Sequence, residues 1–357
     1  MPAEFLLIGS GWRAEFFIRI AEKLPDTFQI SAIVTSNAVL RQSYTKRGFL
    51  CVRTLEEGLR TGTPAFAVVC VSRKAASQVS RQVMAHGLPI LAETPVASSY
   101  EELTELSRHI LGTVKFQVAE QYYLRPDHAA RLACIESGRL GRPVQALVSL
   151  TNNYHAISLI RKFLGEKGDQ AVIRAQRFHV PGRPGFERDG PPKEAVTRMY
   201  SQTLATFDFG GRQGIYNFED DQHRSYIRSQ HIQIKGDNGE INNGEVRYLR
   251  DGGTPVYSPF LRINKGENEN MEGSGLKGIL FEGTWIYQNP YPKVRFSDDE
   301  IAVATCLSRM KDYCGGGRPG YSFAEAAQDF YLTLLLEEAA KTGKEVAARE
   351  QPWTRWL

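Results

Sequence analysis

The chain has 357 residues, of which 42% are hydrophobic and 24% charged, with a formal net charge of +4. Single cores stop growing near about 250–300 residues, so two domains are expected, and the composition is that of a soluble globular protein. The mild positive charge, with no Lys/Arg block of useful length, argues against nucleic-acid binding and suits an anionic ligand such as a dinucleotide.

The five cysteines, Cys51, Cys70, Cys134, Cys306 and Cys314, include no C-x-x-C pair. They read as reduced thiols in a cytoplasmic setting, not as a disulfide framework or a zinc site, and Cys70 reads as a small core residue. The apolar run at residues 5–8 is too short for a signal peptide or a membrane span. No later stretch reaches about 18 apolar residues, so no membrane partner is expected.

In chain order, residues 5–8 form a wholly apolar run, the mark of a buried parallel strand. A glycine turn follows at residues 9–11, then a helix carrying Phe16, Phe17, Ile20 and Leu24, ended by Pro25-Asp26. Residues 30–34 read as a second strand, the surroundings of Leu55 and Leu59 as a helix, and residues 65–71 as a third strand. Residues 75–86 read as a helix stopped by Gly87, and residues 88–92 as a fourth strand. Residues 101–110 read as a helix and residues 114–118 as a fifth strand. This alternation predicts a doubly wound parallel sheet with helices on both faces.

After residue 120 the pattern changes. A helix is predicted over residues 126–137, ending at Gly138. Strands follow at residues 144–150, 172–180, 202–209, 214–218 and 231–235, mostly with no helix between them. They predict a large, mostly antiparallel open sheet in a C-terminal α+β domain. Residues 181–192, rich in Pro and Gly, and residues 236–278, crowded with Gly, Asn and Asp, lack periodicity and read as loops or lids. A last helix carries Phe323, Ala327, Phe330, Leu334 and Leu335. The division is into residues 1–119, a dinucleotide-binding domain, and residues 120–357, a domain for substrate and self-association.

Gly9-Ser10-Gly11-Trp12-Arg13-Ala14 has the form G-x-G-x-x-A at the first strand–helix junction. The first Gly permits a tight turn, the second lets backbone approach a pyrophosphate, and Ala14 lets helix and strand pack closely. The helix N-terminus offers its N–H groups to phosphate. The second strand ends in Thr35-Ser36-Asn37, with Arg41 beyond and no acid for a ribose 2′-hydroxyl. Small hydroxyls with an Arg suit a 2′-phosphate, which tilts the choice toward NADP over NAD; the other reading of Arg41 is a solvated helix residue.

At Glu93-Thr94-Pro95 a resemblance becomes specific: along nearly its whole length the chain resembles the glucose–fructose oxidoreductase, inositol dehydrogenase and rhizopine-catabolism (Gfo/Idh/MocA) family. The resemblance rests on the order and spacing of several segments. They are Gly9-x-Gly11, Gly48…Thr54-Leu55-Glu56-Glu57, the strand at 67–71 and Gly87…Glu93-Thr94-Pro95, where the family has Glu-Lys-Pro. They continue with Ala119-Glu120-Gln121-Tyr122-Tyr123-Leu124-Arg125-Pro126, Gly138-Arg139-Leu140-Gly141, Tyr321-Ser322-Phe323-Ala324-Glu325-Ala326 and Gly343-Lys344. The family's fold is a Rossmann domain followed by an α/β domain with a large open sheet. The resemblance implies that Ser72, Glu93, Thr94, Pro95 and Gln121 border the cofactor together with Gly9, Ser10, Gly11, Trp12, Arg13, Ser36 and Arg41, with a cis bond before Pro95. It also implies a homodimer or homotetramer, with residues 202–235 at the interface. Arg73 reads either as a contact to pyrophosphate or an acidic substrate, or as a surface Arg.

The family's Lys of Glu-Lys-Pro touches cofactor and helps bind substrate, and here it is Thr94. The family's His motif has Asp four residues before and three after the His. The match here is Thr151…His155…Ser158, so the His stands without its acids. Moving a hydroxyl proton needs a group titrating near neutrality, which an unperturbed His supplies. His155 is therefore the candidate general acid/base, the alternative being a structural His on a helix. Tyr122, Tyr123 and Tyr154 are secondary candidates, otherwise packing residues. The remaining histidines show no metal-ligand spacing, and no metal site is expected. The functional expectation is an NAD(P)-dependent dehydrogenase or reductase acting on a sugar, polyol or related hydroxy/oxo compound. The alternatives are a non-catalytic dinucleotide- or sugar-binding regulator and an NAD-dependent glycosidase-like enzyme.

Overall fold

The computed structural model describes residues 2–110, 114–187, 190–194, 196–266 and 273–357. The N-terminal part runs β1 (Ala3–Ile8), α1 (Ala14–Lys23), β2 (Phe28–Val34), α2 (Ala38–Lys46), β3 (Cys51–Val52), α3 (Leu55–Leu59), β4 (Phe66–Val69), α4 (Arg73–Ala85), β5 (Ile90–Ala92), α5 (Tyr100–Ile110) and β6 (Phe116–Val118). The strands form one parallel six-stranded sheet in the order β3-β2-β1-β4-β5-β6. Phe5, Leu6 and Leu7 of β1 are fully buried, as expected of a central strand whose two faces are both covered by helices. The winding reverses between β1 and β4, and a crevice opens outside the carboxyl ends of the strands at that point.

The C-terminal part begins with α6 (Pro126–Glu136), β7 (Pro143–Ser149), α7 (Asn153–Leu164), β8 (Val172–Gly182), β9 (Arg198–Asp208), β10 (Gln213–Glu219) and β11 (His231–Gly236). It continues with β12 (Gly239–Asn242), β13 (Glu245–Arg250), β14 (Thr254–Pro259), β15 (Leu261–Lys265), β16 (Gly275–Phe281), β17 (Thr284–Gln288), α8 (Asp298–Cys314), α9 (Phe323–Thr342) and β18 (Val346–Ala347). A nine-stranded sheet has the order β14-β13-β12-β11-β7-β10-β9-β8-β18, antiparallel except for the parallel β7–β10 pair, and β15-β16-β17 form a smaller sheet. Helices α7 and α9 pack on one face of the large sheet. On the other face Phe178 of β8 and Leu204 of β9 are exposed. The chain then returns to the first sheet: α8 packs on α1 and α9 on α5 and β6, and Val118 N–H donates to the Tyr321 carbonyl at 2.9 Å.

The loop reading of residues 236–278 is corrected. Residues 267–272 lie outside the described ones, but the rest is largely strand, from β12 into β16. Several of the Gly, Asn and Asp residues there form hairpin turns. Asn243-Gly244 is the two-residue loop between β12 and β13, with Asn243 at φ 53°, and Asp251-Gly252-Gly253 joins β13 to β14. Asn-Gly with positive φ matches the twist of such a hairpin. The lid reading of residues 181–192 is corrected at its start, since Pro181 and Gly182 belong to β8; residues 188–189 of that segment are outside the described ones. Helices α2 and α8 lie where no helix was predicted. No described helix is long and apolar enough to cross a membrane, and no cluster among the described residues could hold a metal ion.

Candidate functional site

The β1–α1 turn sits at the crevice. Gly9 has φ +121°, and a Cβ there would lie 2.0 Å from the Cys70 carbonyl oxygen, so the turn packs directly on the chain leaving β4. Gly11 differs: a Cβ there meets nothing within 4 Å. The fold does not require glycine at Gly11, whereas a ligand approaching the backbone would. Ala14 is fully buried between helix and sheet. No side chain caps α1, which leaves its N-terminus available to an anion. Trp12 is exposed, with its ring edge against Phe16.

At the end of β2, the Thr35 hydroxyl bonds the Ser10 hydroxyl at 2.7 Å, and Arg41 Nη1 donates to the Thr35 carbonyl at 3.2 Å. Asn37 caps α2 by accepting from the Val39 and Leu40 N–H groups. Ser36 is exposed beside them. The structure thus gathers Ser10, Ser36 and Arg41 around this strand end.

The third edge is Glu93-Thr94-Pro95, with a cis bond before Pro95. Glu93 Oε1 accepts from Arg13 Nε at 2.7 Å, and the two side chains keep only 11% and 12% exposure. Burial by itself would lower the Arg13 pKa, but the charge and hydrogen bond of Glu93 hold it above the ordinary value. Arg13 Nη2 is buried without a partner. The family resemblance expects a lysine cation at Thr94; here the cation at this edge is the Arg13 guanidinium. Ser72 precedes α4 and is exposed. Arg73 is spent on structure: its Nε donates to the Ala97 carbonyl at 3.3 Å, and its guanidinium lies over the Phe330 ring.

The fourth wall comes from the segment after β6 and from α7. Gln121 is buried with its Oε1 unpartnered. His155, on the first turn of α7, places Nδ1 2.6 Å from Glu120 Oε2. The other oxygen of Glu120 accepts the Tyr122 N–H at 3.0 Å. The Tyr122 ring stacks on His155, centroids 4.4 Å apart, and Tyr154 meets the imidazole edge-on. Burial raises the Tyr122 and Tyr154 phenols above their ordinary values. Tyr154 is buried and its hydroxyl has no partner. Ser158, where the family motif has an acid, accepts from the Tyr321 hydroxyl at 3.1 Å. Behind it lies a buried pair of Arg161 and Asp329, and burial lifts the Asp329 carboxyl to about 6 against the pull of Arg161.

Glu120 stood in a quoted segment of the sequence but was not singled out as a site residue. Its pairing with a His 35 residues away leaves no mark in local spacing. A carboxylate directly after a buried strand of a parallel sheet was the available signal, because that edge faces the crevice.

The residues present fit a dinucleotide. The turn at Gly11 is open, the helix behind it is uncapped, and Arg13 Nη2 and Gln121 Oε1 are a buried donor and a buried acceptor left over at the crevice. Buried polar atoms are rarely left unpaired.

Residues 3–115 match the Gfo/Idh/MocA model, described as an oxidoreductase family with an NAD-binding Rossmann fold. No curated protein matches the chain. Among solved structures, an Agrobacterium radiobacter oxidoreductase in complex with NAD+, L-tartaric acid and magnesium is 16% identical, with a TM-score of 0.70 over 98% of this chain and 99% of that one. A levoglucosan dehydrogenase in complex with NADH and levoglucosan is 16% identical, with a TM-score of 0.69 over 98% and 100%. The WlbA dehydrogenase from Bordetella pertussis in complex with NADH and UDP-GlcNAcA is 15% identical, with a TM-score of 0.65 over 98% and 100%. Residues 3–115 are thus similar to the NAD-binding Rossmann domain of the Gfo/Idh/MocA oxidoreductase family, and over nearly all its length the chain has the fold of these structures.

Proposed function

We propose that the protein is a nicotinamide-dependent dehydrogenase or reductase acting on a sugar, polyol or related hydroxy/oxo compound, bound between the crevice of the first sheet and the wall carrying α7. The observation that carries this reading is His155. Its Nδ1 is engaged by a buried carboxylate and its side chain keeps 15% exposure, so Nε2 is the nitrogen left to meet a substrate hydroxyl. When bound, the nicotinamide supplies the hydride acceptor or donor. The chain's own residues move the proton: Nε2 takes it from the hydroxyl on oxidation and returns it on reduction. Gly9, Gly11 and the α1 N-terminus hold pyrophosphate. Arg13, Glu93 and Gln121 line the floor, and Thr94 leaves substrate binding there without a lysine.

The compounds bound in the similar structures, L-tartaric acid, levoglucosan and UDP-GlcNAcA, support polyhydroxylated compounds as the class. Titrating the protein with NADH and NADPH, and with their oxidised forms in the presence of a panel of such compounds, tests the reading. Substrate-dependent change in nicotinamide absorbance is expected. Tight binding with no turnover across the panel would make the protein a binding regulator, and turnover with no net change in the nicotinamide would make it a glycosidase-like enzyme.

The end of β2 supports NADP over NAD, because Ser10, Ser36 and Arg41 gather there with no acid to repel a 2′-phosphate. Arg41→Ala is expected to weaken NADPH binding by about tenfold to a hundredfold, the loss of a charge-assisted contact, and to leave NADH affinity unchanged. Equal effects on both would remove Arg41 from cofactor choice. The division into residues 1–119 and 120–357, a cytoplasmic setting and a homodimer or homotetramer belong to the same proposal. Self-association is supported by the apolar residues Phe178 and Leu204 exposed on the sheet face opposite α7 and α9, which no described helix covers.

A further inference from the structure

We infer that Glu120 is the positioning residue for His155, fixing which imidazole nitrogen carries the proton; this rests on the reading of His155 as the acid/base.

Glu120 has no solvent exposure and His155 has little. A buried carboxylate is costly unless it is hydrogen-bonded and paired. Glu120 has two partners, one on each oxygen: the Tyr122 N–H on Oε1 at 3.0 Å and His155 Nδ1 on Oε2 at 2.6 Å. A carboxylate has no proton to give, so Nδ1 must be the donor in that bond. In the neutral ring the proton then sits on Nδ1 and Nε2 carries the lone pair. Tyr122 and Tyr154 hold the ring at a stacked face and an edge, so rotation that would swap the nitrogens is hindered. No described residue bonds Nε2. The arrangement points a base of defined tautomer and direction at the crevice, as a carboxylate does for the histidine of a hydrolase triad. It also stands in for what the site lacks at Thr151 and Ser158, the two positions where the family motif has acids flanking the histidine.

The same carboxylate ties the turn at Tyr122 to α7, so it could act as a mere structural clip. Glu120→Gln separates the two roles. The amide oxygen can still accept from the Tyr122 N–H. The amide nitrogen then faces Nδ1 and donates to it, which moves the imidazole proton to Nε2 and abolishes the base.

The decisive measurement is long-range 1H–15N NMR on protein labelled with 15N-histidine, with His155 assigned by comparison with His155→Asn. Wild type is expected to show the Nδ1–H tautomer and Glu120→Gln the Nε2–H tautomer. The melting temperature of Glu120→Gln should stay near that of wild type. With whichever panel compound turns over, its kcat should fall by about 10²–10⁴-fold, the contribution of a positioned acid/base that a wrong tautomer removes, with little change in KM or dinucleotide affinity. Combining it with His155→Asn should add nothing beyond the His155→Asn loss, because the two act as a unit. An Nε2–H tautomer in wild type overturns the inference even if Glu120→Gln fails to fold. A folded Glu120→Gln with unchanged tautomer or undiminished kcat overturns it too. Normal turnover in His155→Asn is a different failure: it removes the acid/base reading, while the tautomer measurement still decides the pairing.

Discussion

Replacing His155 by Ala is expected to lower kcat by about 10²–10⁴-fold, the usual contribution of a positioned acid/base, which corresponds to about 3–5 kcal/mol of barrier. Dinucleotide affinity should be unchanged, because the pyrophosphate and ribose contacts are proposed for β1, α1 and β2, while His155 stands on α7. Ala also leaves Glu120 Oε2 buried without its donor, and an unsatisfied buried acceptor costs about 1–3 kcal/mol. A lost kcat could therefore be confused with a loosened wall. His155→Asn removes the ambiguity, because its side-chain amide nitrogen falls where Nδ1 was and can still donate to Glu120. The two variants should lose the same catalysis, and Asn should melt closer to wild type. Stopped-flow single turnovers and thermal melts on both check this. A near-normal kcat in either variant would take His155 out of the mechanism.

The first sheet was legible because its central strands, residues 5–8 of β1 with β4 and β5, are apolar on both faces, so a short unbroken run such as residues 5–8 marks it without help from periodicity. The large sheet was legible only where its strands are long. Beyond residue 236 the strands shorten, and the turn residues dominate the composition. Asn243-Gly244 is a hairpin signal in its own right, and Glu282-Gly283, with φ 49° and 77°, makes another two-residue turn between β16 and β17. Asn243-Gly244 passed as loop because the flanking runs were too short to show alternation. Helix α8 had a readable start, the capping box of Ser297 and Glu300, which was not used. The site divides in the same way. Its glycines and Ala14 are local, a turn and the helix after it, and could be placed from order along the chain. The pairs Arg13–Glu93 and Glu120–His155 join residues 80 and 35 apart, and tertiary structure alone brings them together. The sequence comparison therefore found an absence, the lysine missing at Thr94, but could not find the guanidinium that stands at the same edge.

Gly11→Val is expected to weaken dinucleotide binding by on the order of a hundredfold or more, about 3 kcal/mol or more, and to leave the fold intact. The contrast with Gly9 makes the prediction informative. At Gly9 the fold itself forbids a side chain, since φ is +121° and a Cβ would collide with the Cys70 carbonyl; Gly9→Ala should therefore reduce folded yield and melting temperature whether or not a ligand ever binds there. At Gly11 backbone strain is absent and a Cβ meets no protein atom within 4 Å. Gly11 precedes α1, and Val is no poorer a helix former than Gly, so propensity does not oppose the change. The branched Val side chain fills space that the protein leaves open, in front of an uncapped helix N-terminus. If that space is where pyrophosphate comes against backbone, the methyl groups displace it and remove N–H contacts together with the dipole's attraction. Isothermal titration with NADH and NADPH, run beside a thermal melt, separates the outcomes. Weak binding to a normally melting Gly11→Val protein ties the dinucleotide to this turn. Unchanged affinity for both nucleotides in that variant would mean that neither approaches the β1–α1 turn, and the proposed cofactor site would fall with it.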